Sequence, residues 1–316
     1  MPKPHIDGFS FSISLPGEQA FIRGCDQLYR GMEERARRSF ASSTRIDPGL
    51  LDAWFMQAFL ALVNSNIEFS RQCFLRILQS DDVLQGRYVL RFLPMFRMHV
   101  NLFEDFVFQV MPTTADAAAI LARLYLIEER VHEAKKVIHP AFRTYKNNPI
   151  VPAMWAQTMV VDGAPKQVIE EIDRNTPYHS GASELDLLQT FYIGRAFFDL
   201  GDFRSGIYHW ESILGHTRGK NPRLLDRFRI HLAKAYQSKG YLLDTFEVLQ
   251  TVEDGNMMFD DGEEVSFVRG RLIERINANL RQGIVKPLKF TEVHEYPRNR
   301  SPHGFLEIER RGESPA

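Results

Sequence analysis

The sequence predicts an all-α solenoid of stacked helix pairs, and two observations carry that prediction. One is a pattern that occurs twice between Leu187 and Asp254. Phe191, Ile193, Gly194 and Phe197 precede Leu200-Gly201-Asp202-Phe203, and Ile207, Trp210, Ile213 and Leu214 follow. Then Leu232, Ala233 and Tyr236 precede Lys239-Gly240-Tyr241, and Phe246, Leu249 and Val252 follow, 39 residues further on. Apolar residues three or four apart describe amphipathic helices, and the central glycine can take the left-handed conformation that closes a helix. The other observation is that related pairs open the chain. Phe21, Gly24, Cys25 and Leu28 share a helical face, Gly31 breaks it, and Ala36 and Phe40 follow; Trp54, Ala58, Phe69, Cys73, Phe74 and Ile77 then outline a second pair. A pair of this size cannot bury its own apolar face, so it must stack on a neighbour.

Composition limits the function classes. The 316 residues are 44% hydrophobic with a net charge of -1, which describes a globular chain with material for an extended core. A polyanion binder is usually more basic, so nucleic acid is not an expected partner. Apolar runs stay short of the roughly 20 residues that cross a bilayer, and no membrane span is expected. The opening Met1-Pro-Lys-Pro-His-Ile-Asp-Gly lacks a secretory apolar segment, which points to the cytoplasm. Cys25 and Cys73 have no metal-like spacing and read as buried thiols.

Along the chain, Phe9 to Leu15 alternates as a short strand would, and Pro16-Gly17 ends it; residues 1–16 read equally as a disordered leader. Helical periodicity starts at Glu18. It stops at Asp47-Pro48, because a proline disfavours helix in the residue before it. Residues 85–114 break the pattern. Tyr88 to Phe92, Phe96 to Val100 and Phe106 to Val110 are β-branched and aromatic runs, Phe96, Met98 and Val100 alternate with polar residues, and Glu104-Asp105 can turn. These features predict a β-finger inserted between helix pairs, with a kinked helical repeat as the alternative. Past Gly262, Val265, Val268, Leu272, Ile276 and Leu280 form one stripe, opposite Arg269, Arg271, Glu274 and Arg275, as expected of a helix capping the open end over 260–283. Residues 284–316 are charged, rich in Pro and Gly, and predicted to be a flexible tail.

Gly24, Gly31, Ala36, Phe40, Pro48, Trp54 and Ala58 together resemble tetratricopeptide (TPR) repeats, in which these positions hold the small crossing residues, turn glycine, packing aromatic, terminal proline and opening tryptophan. Gly24 to Ala58 is 34 residues, the period of that repeat. The same rule gives Ala122 to Ala156, again 34, then Gly194 after 38 and Ala233 after 39. The extra residues of the longer intervals fall around Pro177 to Gly181 and Gly219 to Pro222. The resemblance implies a right-handed superhelical solenoid with TPR-like repeats over 17–84 and 115–259. Two pairs, a β insertion and further pairs also resemble the amino-terminal TPR domain of EccA-type AAA+ chaperones of type VII secretion, through Asp52-Ala53-Trp54, Phe96 to Thr113 and Ala153-Met-Trp-Ala-Gln-Thr-Met-Val-Val161. That likeness implies a secretion-associated chaperone or adaptor, and association with a secretion ATPase. The chain departs from the family in lacking the ATPase module.

Motifs for chemistry are weak. Gly215-His-Thr-Arg-Gly-Lys220 has three residues between its glycines where a phosphate loop needs four, and Asn221 stands where magnesium needs Ser or Thr. His132-Glu133 lacks a second histidine, and His209 and His216 are seven apart. The acids from Glu253 to Glu264 lack calcium-loop spacing and read as a solvated connection. No catalytic residue, cofactor or metal is therefore expected.

The expected function is a non-enzymatic scaffold that binds a protein or peptide in its concave groove. An enzyme or nucleotide-binding protein with an unrecognised site is the alternative. In the TPR pattern, the residue after each small crossing position faces the groove: Cys25, Phe59, Arg123, Gln157, Arg195 and Lys234. Apolar members come early and cations late, so a helical or acidic ligand whose carboxylates meet Arg123, Arg195 and Lys234 fits. The competing expectation is that these cations pair with Asp116, Asp199 and Asp226.

Overall fold

The computed structural model describes residues 15–94, 98–103, 106–173, 184–214, 222–253 and 264–282. The expected leader before residue 15, the Glu104-Asp105 turn, the loops around 177–181 and 215–221, the acidic connection over 254–263 and the tail lie outside the described residues. Two compact units divide the chain, one of residues up to 100 with 109–127, the other of 101–108 with the residues from 128 onward.

The first unit starts with the pair α1 (Pro16–Tyr29) and α2 (Glu33–Ile46), followed by α3 (Leu51–Val63) and α4 (Ile67–Leu78). Helix α1 begins two residues before the sequence pattern does. Pro16 sits in its first turn, where a missing N–H costs nothing, so the residue expected to end a strand opens a helix instead. Each pair packs internally, and α2 packs on α3. Helix α3 is buried on nearly every side while α2 buries one stripe, which explains their compositions. In α3 almost every residue from Leu51 to Ala61 is buried, whereas α2 buries only Ala36, Phe40, Ser43 and Thr44.

The insertion is part helix and part hairpin. Tyr88 to Phe92, expected as strand, belongs to the short helix α5 (Arg87–Phe92). Its start is fixed from a distance, because the buried Asp52 carboxylate on α3 accepts the N–H of Tyr88 at 3.1 Å and of Val89 at 3.0 Å. β1 (Met98–Phe103) and β2 (Phe106–Val110) pair as a two-stranded sheet, which is the β-finger. Its strand portion is shorter than the aromatic runs suggested.

The chain then enters α6 (Thr114–Ile127), and α6 packs on α4 as though nothing intervened. Ala58 and Ala122 are 64 residues apart, one 34-residue period and 30 more, so the insertion is an excursion from one inter-pair connection. Its ends are clasped. Leu84 N donates to Thr114 Oγ1 at 2.8 Å, and Thr114 N donates to Leu84 O at 3.1 Å. Asp116 accepts the N–H of Met111 at 2.9 Å. A Cβ on Gly86 would lie 2.3 Å from Pro112 Cγ, so the two ends of the excursion touch where only glycine fits.

The second unit contains α7 (Val131–Thr144), α8 (Ile150–Val161), and a short α9 (Pro165–Val168) that runs on as a π-helical turn, Ile169–Asp173. Then come α10 (Glu184–Asp199), α11 (Phe203–Leu214), α12 (Pro222–Ser238), α13 (Leu242–Gln250) and α14 (Val265–Arg281). Each packs on the next in the order α7, α8, α10, α11, α12, α13, α14, with α9 against α8 and α10. Trp155 and Trp210 are fully buried within it; the Trp155 ring stacks on Phe142 at 4.3 Å, and Trp210 Nε1 donates to Phe191 O at 3.1 Å. The expected capping stripe holds only in part. Val265, Val268 and Leu272 are buried against α12 and α13, but Leu280 is 52% exposed, because α13 has 9 residues and α14 has 17. Arg269, assigned to the outer face, is half-buried and donates to Val252 O at 2.8 Å. The fold class is the expected one: all-α, with TPR-like helix pairs and a small β-finger.

Candidate partner-binding face

Gly24 and Gly194 sit where the helices of their pairs touch. Ala58, Ala122, Ala156 and Ala233 are fully buried. A Cβ on Gly24 would meet Phe40 Cε1 at 2.7 Å, and one on Gly194 would meet Trp210 Nε1 at 2.3 Å. The carbonyl oxygen of Gly194 lies 3.0 Å from the place of a Cβ on Gly206, so glycine faces glycine where α10 crosses α11. This register determines which side chains follow on the same helices.

In the first unit Cys25 and Phe59 are buried, at 2% and 6% exposure, and offer a ligand almost no surface. Burial also pushes the Cys25 thiol up to about 12, with repulsion from Asp52 as a smaller contribution, so it stays a neutral packing group. Arg123 on α6 is half-buried. In the second unit Gln157 on α8 is 4% exposed, and its Oε1 is buried without a hydrogen-bond partner. Arg195 on α10 and Lys234 on α12 are half-buried. The Arg195 Nε bonds Asp199 Oδ1 at 2.8 Å one turn along α10, so the competing expectation of ion pairing holds at this position. Asp226 pairs with Arg229 at 2.6 Å and accepts Glu253 N at 3.1 Å, while Asp116 serves the chain entering α6. Both carboxylates accept a backbone N–H from outside their own helix, a role that spacing along the sequence does not reveal.

Of the histidines within the described residues, His139, His209 and His231 lie against aromatic side chains, while His99 and His132 are exposed. His209 is buried, with its ring stacked on Phe197 at 5.1 Å, and desolvation lowers its pKa to about 4. His139 Nδ1 accepts from Trp155 Nε1 at 3.4 Å. Among the described residues no three His, Cys, Asp or Glu side chains converge as metal ligands would. The Gly215-to-Lys220 stretch lies outside them. No described helix is long and apolar enough to cross a membrane.

One polar cluster was missed from sequence. Tyr236 Oη on α12 donates to Glu211 Oε1 on α11, and Asp244 on α13 lies close enough to raise the pKa values of both. Burial, chiefly, pushes Glu211 up to about 7 and Asp244 up to about 6. The three residues are far apart in the chain and only the stacking of three helices brings them together.

Comparison with protein-family models found no match, and neither did comparison with curated proteins. Solved structures with the same fold are found. One is the N-terminal domain of the EccA1 ATPase from the ESX-1 secretion system of Mycobacterium tuberculosis, with TM-score 0.52 and 13% identity over 90% of this chain and 96% of that one. Another is the APC/C hetero-tetramer Cut9-Hcn1, with TM-score 0.50 and 12% identity over 79% of this chain; the match spans only 41% of that chain. At such identities the likeness shows the fold alone, and that fold is TPR-like.

Proposed function

We propose that this protein is a non-enzymatic interaction scaffold that holds a protein or peptide segment against the concave faces of its helix pairs. The observation that carries the reading is the glycine-tight register at Gly24 and Gly194, which fixes the order of residues along each first helix. Stacked helix pairs present a row of first-helix side chains to one side, and that row is a surface built for contact. Its cationic members in the second unit, Arg195 and Lys234, suit an acidic segment, extended or helical, whose carboxylates take directional bonds from arginine; Arg123 holds the corresponding position on α6 of the first unit. Phe59 in the first unit and Gln157 in the second hold the same position on their own helices and are too buried to give a ligand more than a floor. The likeness to a secretion ATPase's N-terminal domain supports the narrower reading of a secretion-associated chaperone or adaptor, acting with such an ATPase.

The test is a charge reversal, Arg195→Glu with Lys234→Glu, measured against the partner recovered by affinity purification and mass spectrometry. Weaker binding with a flatter salt dependence is expected, with helicity retained. Unchanged affinity would remove the basic part of this face as the docking site.

A further inference from the structure

Helix α14 stands in the register of the first helices, with Gly270 at the crossing position. In α10 the residues five and two before Gly194 and two after it, Gln189, Tyr192 and Ala196, are buried, as are Phe228, His231 and Ala235 around Ala233 in α12. The same places around Gly270 are Val265, Val268 and Leu272, which join Ile230 and Ala233 of α12 and Leu249 of α13 in one buried cluster. The places three before and three after the crossing residue serve the other helix of the pair. Around Gly194 they are Phe191, stacked on Trp210 at 6.2 Å, and Phe197, stacked on His209 at 5.1 Å. Around Gly270 they are Phe267 and Ile273, and these are 60% and 44% exposed. A Cβ on Gly270 would meet nothing within 4 Å, where one on Gly194 would strike Trp210. Helix α14 is therefore less a polar cap than the first helix of a further pair, with no second helix among the described residues.

The chain does not turn back onto this face at the usual place. Helices α1, α3, α6, α8, α10 and α12 each end five residues past their crossing residue. Helix α14 ends eleven past Gly270, at Arg281, which carries the chain about 9 Å further before it can reverse. We propose that α14 of a second copy fills the face, in an antiparallel crossing that makes a reversible homodimer.

Self-complementarity selects this occupant. In an ordinary pair the first helix supplies the glycine notch and the second supplies the ring that enters it, as Phe40 does at Gly24 and Trp210 at Gly194. Helix α14 carries both on one face, the notch at Gly270 and a ring at Phe267, so a two-fold axis lets each copy give its ring to the other's notch. The Arg271 guanidinium lies over the Phe267 ring at 5.1 Å and orients it without burying it. Charge sets the direction. Exposed Glu264 stands at the start of the helix, Arg269 is turned inward to Val252 O, and beyond Ile273 come Glu274, Arg275 and Arg281, two cations against one anion. Antiparallel copies bring each Glu264 toward the basic end of the other, whereas parallel copies set like ends together. A single helix crossing is smaller than the roughly 800 Å² per partner of a stable interface, so the dimer should be weak and concentration-dependent. This face shares no residue with Arg123, Arg195 or Lys234.

The test is sedimentation velocity on the full chain over a concentration series in the micromolar range. Wild type should pass reversibly from monomer to dimer. Gly270→Leu fills the notch and should weaken dimerisation by roughly tenfold or more. At a concentration where wild type is monomeric, the same variant should keep or raise the melting temperature, because the added side chain meets nothing in its own copy and leucine favours helix over glycine. Phe267→Ser removes the ring and should weaken the dimer by a similar factor; at a side chain already so exposed, it carries the test alone if Gly270→Leu does not fold. Arg195→Glu with Lys234→Glu should leave the dimer intact, so this proposal and the one above fail separately. A dimer indifferent to Gly270→Leu and Phe267→Ser overturns the proposal. So does a wild type that stays monomeric throughout; a lower melting temperature of Gly270→Leu in that monomer would then assign the notch to a segment of the same chain.

Discussion

Six residues, Gly31, Ser65, Glu129, Gly163, Gly201 and Gly240, turn the chain from first to second helix with φ between 58° and 79°. Each stands seven residues past the small crossing residue of its pair. The backbone requirement therefore recurs in every pair although glycine meets it in only some. At Gly201 a Cβ would touch nothing within 4 Å, so the position needs glycine for its φ of 78° and not for space. Gly201→Ala should accordingly cost about 1 to 2 kcal/mol, read by urea unfolding. A second residue-scale prediction concerns Glu211 and pH. Its folded pKa of about 7 lies above its ordinary 4.5, so its contribution is fully present below 4.5 and is lost as pH rises through 7. Asp244, raised from 3.8 to about 6, acts in the same direction, while buried His209, lowered from 6.5 to about 4, opposes both as pH falls. Glu211→Gln should therefore stabilise the protein at pH 8 relative to wild type, and should flatten the fall in melting temperature between pH 5 and pH 8, scanned by circular dichroism. An unchanged pH slope would show that the carboxylate is solvated.

At the scale of elements, the pattern of the sequence was sufficient wherever a helix carried its own signal. The pairs α1 with α2 and α10 with α11 follow from apolar spacing and a turn glycine. Arg87–Phe92 did not follow, because its aromatic and β-branched residues favour a strand locally and are overruled by tertiary contacts. Asp52, 36 residues before Tyr88, supplies the acceptor that starts this helix. Asp52→Ala should leave the N–H groups of Tyr88 and Val89 without that acceptor and cost on the order of 1 to 3 kcal/mol. Faster hydrogen exchange at those two amides is the specific readout; protection equal to wild type would mean that another group holds α5. Helix α14 fails the sequence reading for a related reason. Its stripe continues to Leu280, but burial ends at Leu272, since the length of the neighbouring α13 sets how much of the stripe is covered.

For the whole molecule, the basic part of the proposed docking face is expected to set how binding responds to salt. Affinity through Arg195 and Lys234 of the second unit should fall as ionic strength rises. The sequence by itself determined the class of fold, because helix pairs with a small crossing residue are local patterns repeated at a near-constant period. It also determined the order of residues along each first helix, and with it the candidate row. Tertiary structure alone decided how much of that row is usable, since Phe59 and Gln157 are buried by neighbouring elements while Arg195 is held by Asp199. It also decided that residues 85–113 form a clasped excursion rather than a missing repeat, and that Glu211, Tyr236 and Asp244 meet. The physical reason is the same in each case: periodicity reports which side of a helix is apolar, while exposure and long-range pairing depend on which other helices pack against it.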